Sequence, residues 1–426
     1  MRMASARKVK KRIPENDAEA TAEIGRLARK HSLDLAGGRI RRTSSRFCFG
    51  VEHGDYNGTE LFGVGTDRFI WLAWKPNGGR NIRLVSGNFP DEGVIEFSPG
   101  TVPAPRSGAI VDTWARFPFG VDYILRREGV STAKGFDAVI IGNIPGGGMS
   151  RSASLTLNLI LTFLDVNDAT LGTDRMRIID LAQAVENDYI GSPCGQLDQI
   201  MIYFARAGMG THYIPATRSV RHVPLGKKAI DFRIVSLDTG TVRPGLEKST
   251  YSLRRAECDA LVKAARKQFS IRTLADVRDA ATYRAILDKF ARTLPANCDR
   301  LTYIYNAQKR FKRLLNAWRA GDVPTIGDIF RADGIGLRDH YRISGPELET
   351  MCDIARTVPG VLGERMLGGG DKGASGALVV PSAMEALRAA ISQGYPRSHP
   401  LYAESYAVHE CRVVDGVTES DFSGGR

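Results

Sequence analysis

Six cysteines in 426 residues, none in Cys-x-x-Cys spacing, leave no material for a disulfide framework or a zinc site. Cys48, Cys194, Cys258, Cys298, Cys352 and Cys411 are scattered and read as free thiols in a reducing compartment. No apolar run approaches the roughly eighteen residues that cross a bilayer. The basic stretch Met1 to Arg12 has no apolar segment behind it, so no secretory leader is expected and the expected location is cytoplasmic. Acidic residues are outnumbered, 47 against 59 Lys and Arg, for a net charge of +12. The basic residues are spread along the chain and no nucleic-acid-binding motif accompanies them, so no nucleic acid or membrane partner is expected. A polyanionic nucleotide suits the charge equally well. Internal repeats and low-complexity segments are absent. What remains is a chain of ordinary globular composition, 43% hydrophobic and 25% charged, too long for one core and therefore expected to form two domains.

The most informative stretch that is present is Gly142-Asn143-Ile144-Pro145-Gly146-Gly147-Gly148-Met149-Ser150-Arg151-Ser152-Ala153-Ser154. An apolar strand-like run, Ala138 to Ile141, precedes it and a Ser/Ala-rich helical pattern follows. Glycines let backbone approach an anion, and the unpaired N–H groups of a helix's first turn point at it. The lysine of a G-x-x-x-x-G-K-[ST] loop is missing, and G-x-G-x-x-G matches loosely. The local reading is a phosphate loop or a plain tight turn.

Elsewhere, Phe47–Phe49 and Leu61–Trp74 read as strands around the turn Tyr56-Asn57-Gly58, and 75–108 as strands joined by loops. Helical spacing covers Thr113–Arg127, Ser150–Val166, a helix beginning at Thr173, Leu246–Lys267, Asn297–Ala320 and most of Ile343–Thr357. Phe232–Leu237 and Ala377–Val380 read as strands. Residues 1 to about 35 are polar with weak helical character. The mixture predicts an α+β protein of two packed domains, divided within 210–235.

Three clusters could carry chemistry. Glu52, His53 and Asp55 precede a turn and could together hold several hydroxyl groups, as a sugar requires, or form a solvated loop with an Asx-turn. Glu186 near a helix end and Asp198 after a Gly-Ser-Pro-Cys-Gly turn suggest a metal ligand and a base, although Asp198 is also placed as a helix N-cap. The late loop Gly368-Gly369-Gly370-Asp371-Lys372-Gly373 could lie along phosphates or be a hairpin turn.

In order, these pieces resemble the galactokinases of the GHMP kinase superfamily, over roughly residues 39 to 385. Arg46 is followed six positions on by Glu52-His53-Gly54-Asp55-Tyr56, in the register of the family's sugar motif. Gly147-Gly148-Met149-Ser150-Arg151-Ser152-Ala153-Ser154-Leu155 is similar to its phosphate motif. Glu186 and, twelve residues on, Asp198 in Cys194-Gly195-Gln196-Leu197-Asp198-Gln199 match a further pair. Thr239-Gly240-Thr241-Val242-Arg243 and Tyr251-Ser252-Leu253-Arg254-Arg255-Ala256-Glu257-Cys258 match two more runs.

The resemblance implies a two-domain GHMP kinase fold with the active site in the inter-domain cleft. It implies a polar extension at 1–35, an N-terminal kinase domain at 36–215 and a C-terminal one at 216–426. The implied reaction moves the γ-phosphoryl group of ATP to the anomeric hydroxyl of a monosaccharide, galactose or a close relative, with Mg²⁺. Asp198 would be the base and Arg46 the cation beside it. Glu52, His53, Asp55, Tyr251 and Gly195 would hold the sugar. Gly146, Gly147, Gly148, Ser150, Arg151, Ser152 and Ala153 would hold ATP, with Trp114 either near the adenine or in the core. Ser152 (or Ser150) and Glu186 would hold the metal ion. The resemblance says nothing of the oligomeric state.

The chain departs from the family at Thr43-Ser44-Ser45, Cys48, Gly50-Val51, Gly54 and Asp371-Lys372. The phosphate loop is also one residue short after Pro145, and Arg151 replaces a serine inside it. These departures leave open a 1-kinase for a pentose, uronic acid, amino sugar or longer-chain sugar. They also leave open a non-catalytic sugar and ATP sensor, against which the retained Ser152-Ala153 argues.

Overall fold

Two sheets carry the molecule, and the computed structural model describes residues 13–171, 174–242 and 250–424. The larger sheet holds β1 (Arg39–Gly50), β2 (Leu61–Pro76), β3 (Ile82–Ser86), β4 (Val94–Phe97), β5 (Phe136–Gly142), β6 (Met209–Ile214) and β7 (Ser219–Pro224). The smaller holds β8 (Arg233–Asp238), β9 (Val361–Met366), β10 (Ala374–Val379) and β11 (Ala407–Cys411). A last strand, β12 (Val417–Asp421), returns to pair antiparallel with β1. The larger sheet runs β12-β1-β2-β5-β3-β4, with β6 on the start of β2 and β7 on β6. The smaller runs β11-β8-β10-β9 and is antiparallel throughout. Strands β7 and β12 thus lie beyond residue 215 in sequence but within the first sheet. With the helices packed on these sheets, the class is the α+β one expected.

Helix α1 (Asp17–Lys30) belongs to the segment read as a polar extension. Its Ile24 and Leu27 are buried against Trp71, Val139 and Ile141. Asn16 caps it by accepting from the Glu19 N–H at 2.9 Å, and Asp17 accepts from the Trp71 indole at 2.7 Å. Its exposed Glu, Arg and Lys side chains hide this apolar stripe in the sequence.

Helices α2 (Arg116–Arg127), α3 (Arg151–Val166), α4 (Met176–Ala184) and α5 (Leu197–Tyr203) accompany the larger sheet. Helices α6 (Thr250–Phe269), α7 (Ala280–Phe290), α8 (Pro295–Ala320), α9 (Val323–Gly336), α10 (Pro346–Arg356) and α11 (Met384–Ser398) follow β8; α9, α10 and α11 pack on the smaller sheet, and α8, flanked by α6 and α7, packs on β1 and β7. Thr173 and Leu246, the expected starts of two helices, and Arg243 lie outside the described residues, as does the basic run to Arg12. Helix α9 carries three glycines and has no strong signature in sequence. It forms because it packs closely on β9: a Cβ at Gly327 would lie 2.5 Å from the Leu362 carbonyl oxygen.

Every residue of β5 is buried, which explains its unbroken apolar run. Helix α3, apolar on nearly all sides, is buried against β1 and β2, and its few polar residues bond to those two strands. The Thr43 hydroxyl donates to the Ser154 carbonyl at 2.9 Å, and the Asn158 amide donates to the carbonyls of Arg41 and Ile70 at 3.2 Å. The departure at Thr43 therefore has a packing role. Strand β1 is also the seam with the second half. Phe47 stacks on Phe330 with centroids 5.3 Å apart, and Phe49 meets Trp318 at 5.2 Å.

Candidate active site

Side chains alternate along β1, so while Phe47 and Phe49 enter the core, Arg46 points the other way. Arg46 is 1% exposed. Its Nε and Nη2 donate to Asp198 Oδ1 at 2.8 and 2.7 Å, and its Nη1 donates to the Gly148 carbonyl at 2.6 Å. Its Nη2 also reaches Glu52 Oε1 at 3.3 Å. Burial works against the charge, yet Asp198 and Glu52 together hold the guanidinium pKa above its ordinary value. Asp198 sits in the first turn of α5, where Gln196 holds the N-cap position and its own side chain makes no cap hydrogen bond. The capping alternative for Asp198 is thereby excluded, and its carboxylate, about one third exposed, opens to the cleft.

The loop after β1 brings up the sugar-motif residues. Glu52 is buried; its Oε2 accepts from Arg365 Nη2 at 2.8 Å, and its Oε1 from the Gly368 N–H at 3.0 Å. Burial raises its pKa against the pull of Arg46 and Arg365. Asp55 Oδ2 accepts from the Leu197 N–H at 3.1 Å. Burial, opposed by that N–H and reinforced by Asp198, pushes its pKa to about 6. Gly195 must be a glycine, since a Cβ there would lie 2.0 Å from Asp55 Oδ2. His53 Nδ1 lies 3.0 Å from the Tyr56 hydroxyl, which is 2.6 Å from that of Tyr341. Tyr251, in the first turn of α6, places its ring 5.3 Å from that of His53. At Gly54 a Cβ would meet Thr59 Oγ1 at 2.0 Å, so this departure is dictated by packing beneath the loop.

The glycine loop follows β5 and turns into α3 through Ser150, whose φ of 64° is left-handed. The N-terminus of α3 faces the cleft. The two glycine loops pack backbone on backbone: a Cβ at Gly147 would lie 2.9 Å from Gly373 Cα. The later loop joins β9 to β10 as a hairpin, and its Gly368 and Gly369 also line the cleft. Asp371, with Lys372 a departure from the family, accepts from the Thr250 N–H at 2.8 Å at the start of α6. Ser152 Oγ donates to Glu186 Oε2 at 3.3 Å, and Gln199 donates to the other oxygen of Glu186 at 3.4 Å. Among the described residues no cluster of three metal-binding side chains exists.

One cavity of about 450 Å³ joins these parts. Every residue to which the resemblance gives a catalytic, sugar, ATP or metal role lines it except Ala153, which is fully buried in the core, whereas Gly54 and Asp371 do not. Trp114 both lines the cavity and belongs to the core. Arg151 lines it with its guanidinium 5.9 Å from the Phe89 ring, and makes no hydrogen bond or ion pair with a described residue. Burial lowers its pKa, opposed by Asp238, whose own pKa burial raises to about 6. The sequence reading missed Asn88, Phe89, Arg116 and Phe117 at the far end of the cavity, which carry no motif. It also missed Arg365, just ahead of the late glycine loop.

The comparisons agree with this geometry. Residues 119–206 match the GHMP kinases N terminal domain. The galactokinase of Roseiflexus sp. is 30% identical over 382 residues, 89% of this chain and 92% of that protein. The galactokinase of Chloroflexus aurantiacus is 31% identical over 362 residues, 84% and 88% of the two chains. The crystal structure of Lactococcus lactis galactokinase complexed with galactose superposes with a TM-score of 0.84 at 28% identity, covering 95% of this chain and all of that one. The Methanococcus jannaschii mevalonate kinase shares the fold, with a TM-score of 0.60 at 15% identity over 88% of this chain and 98% of that one. The chain with the Arg46–Asp198 pair at the mouth of its glycine loop therefore belongs to the galactokinase family of GHMP kinases and is a sugar kinase.

Proposed function

We propose that this protein transfers the γ-phosphoryl group of ATP to the anomeric hydroxyl of galactose, giving galactose 1-phosphate and ADP. The observation that carries this reading is the Arg46–Asp198 pair, set where the sugar-motif side chains and the glycine loop share one cavity. Its likeness to the galactose-bound Lactococcus enzyme supports the choice of sugar. So does the position of two departures: Gly54 and Asp371 answer to packing and capping and do not line the cavity.

In the reaction, Asp198 accepts the proton of the C1 hydroxyl as O1 bonds to the γ-phosphorus and the bond to ADP breaks. Phosphoryl transfer depends on positioning and charge stabilisation, which Arg46 supplies from a buried, cross-tied position. Gly146 to Ser150 offer backbone to the phosphates, the N-terminus of α3 adds its dipole, and Arg151 adds a cation. Glu52, His53, Asp55 and Tyr251 surround the sugar. Trp114, Phe89 and Phe117 form the apolar end for the base. A hydroxyl and a carboxylate 3.3 Å apart beside the phosphates fit Mg²⁺, which takes few protein ligands and completes its shell with phosphate and water. Ser152 and Glu186 would hold it, and the bound ion would neutralise charge developing on the phosphates.

We assign 36–215 and 216–426 to the two kinase halves, with β7 and β12 of the latter completing the first sheet. Among the described residues no helix is long and apolar enough to cross a membrane, and we place the protein in the cytoplasm. A coupled ADP-release assay with ATP, Mg²⁺ and a broad panel of free sugars tests the proposal. Galactose is expected to give the highest kcat/KM. A better rate with another sugar would remove galactose, and ADP release with none would overturn the enzyme reading in favour of a sensor.

A further inference from the structure

We propose that Arg365, on β9, is a positioning residue for this reaction: it orients Glu52, Glu52 orients Arg46, and Arg46 orients Asp198. The proposal rests on the reading of Asp198 as the base. Six charged side chains form one alternating chain, Asp198–Arg46–Glu52–Arg365–Asp333–Arg310, and the inner four are at most 3% exposed. Arg365 is fully buried and does not line the cavity, so it cannot touch substrate. It is held from several sides. Its guanidinium lies 4.5 Å over the Phe330 ring, donates to the Cys48 carbonyl on β1 at 2.8 Å, and stands 3.8 Å from Asp333.

Glu52 has both oxygens engaged. Arg365 holds one at 2.8 Å; the Gly368 N–H at 3.0 Å and Arg46 at 3.3 Å share the other. Two of these three donors come from β9 and the loop after it, whereas Arg46 comes from β1. The second sheet therefore fixes the carboxylate that fixes the catalytic pair, and the base is aligned only when the two halves are docked. A guanidinium used only for stability would show in Tm and leave the turnover of folded enzyme unchanged.

The test compares wild type with R365M, R365K, E52Q and the double variant E52Q/R365M, on whichever sugar the wild type turns over best. R365M should lower kcat about 100-fold, the scale of a small misplacement of catalytic groups. KM for ATP should stay within about threefold, because neither Arg365 nor Glu52 lies at the nucleotide end, and any rise in sugar KM through Glu52 should be smaller than the fall in kcat. R365K keeps the charge but not the reach, and should recover part of the loss. In the E52Q background, R365M should cost no more than about a further threefold, because residues acting through one another are not additive. The double variant removes both buried charges, so it also guards against a single variant that fails to fold. A crystal structure of R365M should show Arg46 Nε displaced from Asp198 Oδ1. The proposal is overturned by a kcat of R365M near wild type, by an undiminished loss in the E52Q background, or by a preserved Arg46–Asp198 contact. If the wild type phosphorylates no sugar, the reaction reading fails separately, and the Arg46–Asp198 contact in the R365M structure alone decides the positioning role.

Discussion

At the sugar end of the cleft, Arg46, Glu52 and Arg365 already hold one another, and each contact is made from within the protein. At the phosphate end, Arg151 has no hydrogen bond or ion pair with a described residue, and Ser150 Oγ is buried without a partner among them. The difference teaches where the protein spends its folding energy. Groups that move a proton must be aligned before substrate arrives, since misalignment costs rate directly. Groups that grip a polyanion gain more by keeping donors uncommitted, since an unpaired buried donor is satisfied only by the ligand. Glycines serve both ends: at Gly147 and Gly195 a Cβ would collide with Gly373 and with Asp55, respectively.

The largest effect should come from the tied end. Asp198→Asn removes the proton acceptor and should lower kcat about 10³-fold, within the range for general-base loss, with sugar KM nearly unchanged. Steady-state kinetics on both substrates checks this. A variant with near-wild-type kcat would break the comparison, because the aligned pair would then not be the reacting one. At the other end, Arg151→Ser should raise KM for ATP about tenfold, the worth of one charge-assisted hydrogen bond, with kcat little changed. Its Tm should match wild type, since no described partner loses a contact. A clear fall in Tm would show that Arg151 is structural, and the contrast between the two ends would fail.

The same contrast governs what could be read in advance. Motifs that bundle their chemistry into a few adjacent residues were legible: Glu52 to Asp55, Gly146 to Ser152, and Cys194 to Asp198. Each needs fixed residue types at fixed spacing, so the spacing survives in the sequence. Partnerships across the fold were not. Arg365 finds Glu52 at a separation of 313 residues, and Asp371 finds Thr250 across 121. A buried arginine looks like a surface one until its carboxylate is known. Asn88 and Phe89 line the nucleotide end through loop placement alone. The departures at Thr43, Gly54 and Asp371 looked functional in sequence, and packing or capping explains each.

The two ends also share a carboxylate whose pKa burial raises to about 6, Asp55 on the sugar side and Asp238 near Arg151. Both are ionised at pH 7 and take up a proton as pH falls through about 6. For a carboxylate raised above its unfolded value, the folded state binds more protons between about 4 and 6. The stability it contributes is therefore complete below about pH 4 and is lost as pH rises through 6. Sugar binding runs the other way, because hydroxyl groups need the ionised acceptor. Sugar kcat/KM should fall severalfold as pH drops from 7 to 5.5, and Asp55→Asn should flatten that limb. At pH 7 Asp55→Asn should have a Tm at or above wild type, with sugar KM raised about tenfold, because a buried charge is removed while an acceptor for Leu197 remains. A lowered Tm would place Asp55 among the tied groups.

The smallest effect belongs to Asp371, one of the positions at which the chain departs from the family's pattern. Its carboxylate accepts from the Thr250 N–H and from the Thr250 hydroxyl, at the start of the helix whose next residue is Tyr251. An acidic group there accepts from a first-turn N–H and interacts favourably with the positive end of the helix dipole. Asp371→Ala should cost about 1 kcal/mol of stability, the usual worth of a cap. Because Tyr251 is in the first turn of that helix, fraying would loosen the sugar end while leaving Arg151 and the first glycine loop untouched. Sugar KM should rise about two- to threefold with KM for ATP unchanged, since the displaced side chain is one contact among several. An effect on KM for ATP instead would move Asp371 from the tied end of the cleft to the waiting one.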